Sequence, residues 1–214
     1  MERDDDESLE ARCEEIGQRL CNILTGLSVL SWGVLGFVNA SPSERWSSVR
    51  ISITILQFLV GTLFLIRRPL LTQASWRQIA ACLPSFVAAG MAFKLAQPCE
   101  AWPIYAQIVF ASGAAAACVS LATLGRSFAV LPAFRGLVAN GPYRLVRHPA
   151  YAAELIMFSA YALAAPTLLV IGALTVGVLM MILRIRIEEH FLSGNSGYLA
   201  YRQKVRHRLI PWVW

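Results

Sequence analysis

Charge is scarce in this chain. Asp, Glu, Lys and Arg together make up 15% of its 214 residues, hydrophobic residues make up 57%, and the mean hydropathy is +0.55. That is too little polar surface to cover a water-soluble globule, which leaves an integral membrane protein. Paired cysteines are missing as well: Cys13, Cys21, Cys82, Cys99 and Cys118 show no CxxC spacing, and several sit inside apolar runs. Neither a disulfide framework nor a metal site is expected. His190 and His207 have no partner at metal-ligand spacing, so they are assigned no metal. The N-terminus, MERDDDESLEARCEEIGQRL, lacks the positive-then-apolar order of a cleaved signal peptide. It reads instead as a polar, helical, cytoplasmic lead-in over residues 1–19. No repeat and no linker divides the chain, which predicts one membrane domain over residues 1–214, with no nucleic-acid partner.

Long apolar runs take the place of charge. Leu20–Val38, Val49–Ile66, Ile79–Ala96 and Ile104–Leu124 each have the length, about 17 to 25 residues, that crosses a bilayer. A further block, Tyr151–Ile185, is 35 residues long. As one helix it would measure roughly 52 Å, against a hydrocarbon core of about 30 Å. Pro166, in LAAPTLL, cannot donate a helical hydrogen bond, so the turn of a helical hairpin is expected there. The fold predicted is an all-α polytopic membrane bundle of six segments, four of them within residues 20–124. A five-segment form with the hairpin partly inserted is the alternative. Sixteen of the 19 Lys and Arg fall in the tails and alternate loops of one side, against Arg45, Arg50 and Lys94 on the other. Cytoplasmic loops carry the excess, so both termini are expected in the cytoplasm.

The clustered polar chemistry comes after Gly125, which makes residues 125–214 the expected binding and catalytic region. Its clusters are LGRSFAV (Leu124–Val130), GPYRLVRHPAY (Gly141–Tyr151) and RIRIEEHFLSGNSGYLAYRQKVRHRLIPWVW (Arg184–Trp214), all on the predicted cytoplasmic side. A helix starting near Pro149 turns its free first-turn amides, together with Arg147 and His148, into a site suited to a carboxylate. Taken alone, the arginines serve equally well as a positive-inside anchor. Glu154 lies three residues after Tyr151, on the same helical face. A lipid-facing carboxylate there costs on the order of 2.5 to 3.5 kcal/mol, so Glu154 should face protein, a polar cavity or the nearby interface. Glu188 and Glu189 point about 100° apart on one helix, so only one can aim squarely at a shared site. Arg184 is within pairing reach of Glu188, and Arg186 of Glu189. Tyr198 and Tyr201, three apart, precede a basic stretch ending in Pro211, Trp212 and Trp214. That tail also suits a segment lying in the membrane interface.

In this order and spacing, LGRSF, GPYRLVRHPAY, an apolar hairpin, EE and YLAYRQKVRHRLIP resemble the integral-membrane methyltransferases of the isoprenylcysteine carboxyl methyltransferase family and their phospholipid methyltransferase relatives. The resemblance covers Leu124–Trp214. It implies transfer of a methyl group from S-adenosylmethionine to a lipid or other hydrophobic substrate, carboxylate or amine, that enters sideways from the bilayer. It also implies a cofactor pocket of Tyr143, Arg147, His148, Tyr151, Glu188 and Glu189, with Arg147 and Glu188 as the catalytic candidates. Arg147 and His148 would meet the carboxylate or a ribose hydroxyl, a glutamate the ammonium or ribose, and the tyrosines the sulfonium and adenine. Glu154, Tyr198, Tyr201, Lys204 and Arg206 are the substrate candidates. Lys204 stands before Val205 where the family has an arginine associated with a substrate carboxylate. Lysine lacks the bidentate fork, which leaves an amine substrate open unless Arg206 or Arg208 takes over. Two other readings are an NADPH-dependent enzyme resembling the sterol reductases, whose pattern has Asn before the Tyr where this chain has Ala150, and a nonenzymatic membrane scaffold.

Overall fold

The computed structural model describes residues 2–82, 84, 87 and 101–214. Helix α1, Glu2–Val38, begins polar and turns apolar. At about 1.5 Å per residue it is longer than a bilayer core, and the stretch long and apolar enough to cross is Glu15–Val38. The chain reverses through the single-turn helix α2, Pro42–Arg45, whose N-cap Ser41 accepts from the Glu44 amide. The Arg45 guanidinium donates to the carbonyls of Phe37, Val38 and Ala40 at 3.1, 2.7 and 3.1 Å, satisfying acceptors that the end of α1 leaves open. Helix α3, Ser48–Ile66, starts at the Ser47 cap and packs along α1 at a glycine crossing. A Cβ on Gly26 would lie 2.9 Å from the Gly61 carbonyl oxygen, so only hydrogen fits between these backbones.

A two-residue strand β1, Thr72–Gln73, pairs antiparallel with β2, Ala133–Phe134, in the register Thr72 to Phe134. This ties the segment after α3 to the long loop after helix α4, Ile104–Leu124. Of the apolar run expected at Ile79–Ala96, residues 79–82, 84 and 87 are helical, and the rest lies outside the described residues. Helix α5 is Pro149–Ala164 and helix α6 is Leu168–Leu192, capped by the Thr167 hydroxyl on the Val170 amide. The break between them falls on Ala165–Thr167, around Pro166, where the missing amide hydrogen puts it. Helix α7, Ser196–Lys204, follows the Asn195 cap.

Four described helical stretches are long and apolar enough to span a membrane: Glu15–Val38, Ser48–Ile66, Ile104–Ser127 and Leu168–Leu192. Helix α5 is not among them, since its 16 residues span only about 24 Å. The core sits where α4, α5 and α6 meet. Trp102, Phe110 and Tyr161 form an edge-to-face triangle with centroids 5.3 to 5.8 Å apart, packed beside Leu174, Met181 and Ile185. Gly113 lets α4 approach α5: a Cβ there would stand 2.9 Å from Met157 Cγ, 3.0 Å from its amide nitrogen and 3.1 Å from the Ala153 carbonyl oxygen. Backbone cannot yield as a side chain can. Gly113→Ala is therefore expected to destabilise by about 1–3 kcal/mol, read as a lower thermal midpoint in detergent. Gly172→Ala, with nothing within 4 Å among the described residues, is the control and should leave the midpoint unchanged or raised.

Candidate functional site

The loop after α4 is shaped by backbone that side chains disfavour. Gly125 (φ +49°) ends α4, Gly136 has φ +124° and Gly141 has φ +53°, conformations open to glycine at little steric cost. A 3-10 turn over Gly141–Arg144 then delivers Arg147 and His148 to the start of α5. Both are held from the C-terminal tail. The Arg147 amide donates to the His207 carbonyl and the His148 amide to the Arg208 carbonyl, each at 2.9 Å, so the tail runs as a strap across the turn.

Glu189 is the hub of this region. It is 4% exposed, and one carboxylate oxygen accepts from Arg147 Nε at 2.7 Å and lies 3.3 Å from His148 Nε2. The other oxygen accepts from Arg208 Nε at 2.8 Å. These partners come from the RHP turn and the tail. Arg186, three residues away on the same helix, is exposed and is not among the cations paired with Glu189, which corrects the local pairing expected from spacing. Arg147 is further committed, with Nη1 donating to the carbonyls of Val205 and Arg206 at 2.8 Å each. A buried carboxylate shared by two arginines and a histidine is fully compensated, whereas any one member alone would carry a large desolvation cost.

Glu188 points elsewhere. It accepts a hydrogen bond from the Tyr151 hydroxyl at 2.9 Å and lines a cavity of about 520 Å³, inside the range of small-molecule sites, roughly 300 to 1,000 Å³. Leu56 and Val60 of α3 and Ala117 and Leu121 of α4 give the cavity an apolar side. Its polar side carries Arg135, Tyr143, Arg147, His148, Tyr151, Glu154, Arg184, Glu188, Tyr198 and Tyr201. Arg184 lies 5.1 Å over the Tyr151 ring and donates to the Val130 carbonyl. The Tyr201 hydroxyl donates to the Tyr143 carbonyl at 2.7 Å, locking α7 onto the 3-10 turn. Tyr198 is 3% exposed and its hydroxyl has no partner among the described residues, a buried donor that a ligand would satisfy. Burial pushes all three loop and α7 phenols upward, Tyr201 to about 12. For Tyr143 the neighbouring Glu188 adds to the rise, as Glu189 does for Tyr198. All three keep their protons, and their donor capacity, at neutral pH.

The residues singled out from sequence thus fall into three places. Tyr143, Arg147, His148, Tyr151, Glu154, Glu188, Tyr198 and Tyr201 line one cavity. Glu189 stands behind its wall as the hub that holds Arg147 and His148. Lys204 and Arg206 expose their side chains and do not line the cavity. Spacing did not reveal Arg135 or Arg208. Arg135 is a single cation in the apolar run LPAFRGLV, with no local signal that it folds inward, and Arg208 is one of several tail cations that look alike until the tail crosses the RHP turn.

No curated protein matches the chain. Residues 102–197 match the family model described as phospholipid methyltransferase. The matched span takes in α4, the glycine-bearing loop, the RHP turn, α5 and α6, but not α3 or the tail strap. The part of the chain that builds most of the cavity wall is therefore similar to the phospholipid methyltransferase family.

Proposed function

We propose that the protein binds S-adenosylmethionine in the 520 Å³ cavity and transfers its methyl group to a lipid or other hydrophobic substrate at the cytoplasmic face of the membrane. The observation that carries this reading is the Glu188 carboxylate. Buttressed by the Tyr151 hydroxyl at 2.9 Å, it faces a cavity that also holds Glu154 and the Tyr198 hydroxyl, which has no partner among the described residues. Intramembrane carboxylates turned toward a cavity select cations, and S-adenosylmethionine carries two, an ammonium and a sulfonium. Its ribose hydroxyls and carboxylate match the remaining donors.

Bound there, S-adenosylmethionine supplies an activated methyl group for in-line displacement by the acceptor. The chain's own contribution is positioning and exclusion of water, which can supply much of the barrier reduction. Glu188 and Glu154 hold positive charge, and Tyr143 and Tyr151 offer ring faces to it. Arg147 and His148, fixed by Glu189, give the wall its donors. The Tyr201 bond keeps α7 and Tyr198 in place. The apolar side, formed by Leu56, Val60, Ala117 and Leu121, suits a hydrophobic acceptor arriving from the bilayer. In this reading residues 125–214 are the binding and catalytic part, residues 20–124 mostly membrane scaffold, and residues 1–19 the lead-in. The Lys and Arg distribution supports both termini, and the cavity, on the cytoplasmic side.

Calorimetry on the purified chain in detergent tests the reading. Saturable S-adenosylmethionine binding is expected, followed on incubation with membrane lipids by a product heavier by one CH2 unit. Binding of NADPH with no binding of S-adenosylmethionine overturns it.

A further inference from the structure

The tail that straps the RHP turn bends back on itself, and the outer side of the bend is apolar and exposed. The Arg208 and Leu209 amides donate to the Trp214 carbonyl at 2.8 and 3.0 Å, and the Val213 and Trp214 amides both donate to the Ile210 carbonyl at 3.2 Å. The Trp212 amide donates to His207 Nδ1 at 3.1 Å. These bonds hold Trp212 at φ 62°, a left-handed conformation that is costly for any residue with a Cβ. A strained residue persists only where its surroundings over-determine it, and such strain gathers at functional sites. The strain here gains no burial for the indole. Trp212 is 90% exposed, beside the exposed Ile210 and Val213.

Height and charge say what covers this knuckle. From Leu168 to Ile185, α6 rises about 26 Å, close to the ~30 Å of a hydrocarbon core. Leu209 is buried in the cluster that contains Ile185, Trp214 packs against that cluster, and Arg208 bonds to Glu189, one turn further along α6. The knuckle between Leu209 and Trp214 therefore stands at the edge of the hydrocarbon, the layer that tryptophan prefers. Arg202, Lys204 and Arg206 lie exposed just before it, and no Asp or Glu follows Glu189 in the sequence. Cations beside an exposed apolar tip match an anionic bilayer surface, each cation adding to the attraction. A soluble partner would have to reach the tip through the headgroup layer.

The inner side of the same tail grips the candidate site. The His207 and Arg208 carbonyls accept from the Arg147 and His148 amides, and the Val205 and Arg206 carbonyls accept from Arg147 Nη1. We propose that the Ile210–Val213 knuckle seats in an anionic lipid surface and that this seating tightens the tail's grip on the RHP turn, so that the hold on Arg147 and His148 follows the charge of the bilayer. A surface that binds the closed strap and not the released one shifts the balance toward the closed form. That a firmer turn strengthens cofactor binding rests on the methyl-transfer reading; the seating and the grip do not.

The full-length protein is compared in nanodiscs of phosphatidylcholine alone and of phosphatidylcholine mixed with phosphatidylglycerol, with hydrogen exchange read at the Arg147 and His148 amides. Exchange is expected to be about tenfold slower on the anionic surface, as the attraction of two or three cations would give. Bromine-labelled acyl chains should quench the Trp212 emission, obtained as the difference between wild type and Trp212→Gly. The variant Arg202→Gln/Lys204→Gln/Arg206→Gln should lose the dependence on lipid charge. Trp212→Gly/Val213→Ser should return exchange in anionic discs to about the neutral-disc rate. Glycine relieves the strain at φ 62°, so a tail with a purely structural role would keep or gain protection in that variant, and this result overturns the proposal. So do wild-type exchange rates that ignore lipid charge, quenching of Trp212 by iodide from the water, and shielding from both quenchers in a particle holding two copies. S-adenosylmethionine calorimetry in the same nanodiscs separates the two readings. Exchange that follows lipid charge with no cofactor bound defeats the methyl-transfer reading alone; cofactor binding with exchange that ignores lipid charge defeats this one alone.

Discussion

Glu189→Gln is expected to cost the protein about 3–5 kcal/mol of stability, a fall of roughly 6–20 °C in thermal midpoint for a chain of this size, measured in detergent by differential scanning. Glutamine preserves the shape and one acceptor but withdraws the charge. Arg147, 8% exposed, His148, 6% exposed, and Arg208 would then share a dry pocket with no anion. Part of the loss should return in the double variant Glu189→Gln/Arg208→Gln, because the mutual repulsion falls when one cation leaves. That coupling is the signature of a charge hub. A drop smaller than 1 kcal/mol, or a double variant no better than the single, would mean that the RHP turn is held by its backbone bonds to His207 and Arg208 without help from the carboxylate.

Glu188→Gln, one residue earlier, is expected to do the reverse. Its side chain is half-buried and bonded to Tyr151, a bond that a glutamine carbonyl can still accept, so the thermal midpoint should move by no more than about 1 kcal/mol equivalent. S-adenosylmethionine affinity is expected to fall about 100-fold, the loss of a charge-assisted contact worth roughly 2.7 kcal/mol in a low-dielectric site. Calorimetry against wild type reads this directly. A Glu188→Gln protein that binds the cofactor normally would remove the carboxylate from the site and defeat the role given to it. Two neighbouring glutamates with opposite phenotypes, one losing stability and the other losing binding, is a pattern that a merely solvated acidic pair would not produce.

The opposed roles follow from helix geometry. Side chains one residue apart on α6 diverge by about 100°, and here that turn separates the cavity from the strap behind its wall. Spacing announces that only one of the two can face a shared site. Which one depends on where the tail passes, and the tail's path is settled by backbone bonds between residues about 60 positions apart. Local spacing misdirects Arg186 for the same reason. It is near enough to Glu189 for a helical pair, but long-range cations occupy that carboxylate and leave Arg186 in the exposed set.

By itself the sequence determined the class of molecule and its punctuation. A chain with so few charges must bury apolar surface in lipid, a residue without an amide hydrogen must break the long apolar block near Pro166, and a proline before a helix must start α5. Each follows from composition or from the chemistry of one residue, so no tertiary knowledge is needed. The order of polar motifs likewise pointed to the chain's last two-fifths as the expected chemical part. Only the tertiary structure decided how the charges divide: Glu188 to the cavity, Glu189 to Arg147 and Arg208, Arg135 inward against the cavity, Lys204 and Arg206 outward. Charge in a low dielectric is judged by what lies within a few ångströms. For this chain those neighbours come from α3, the glycine loop and the tail, brought together only when the helices pack.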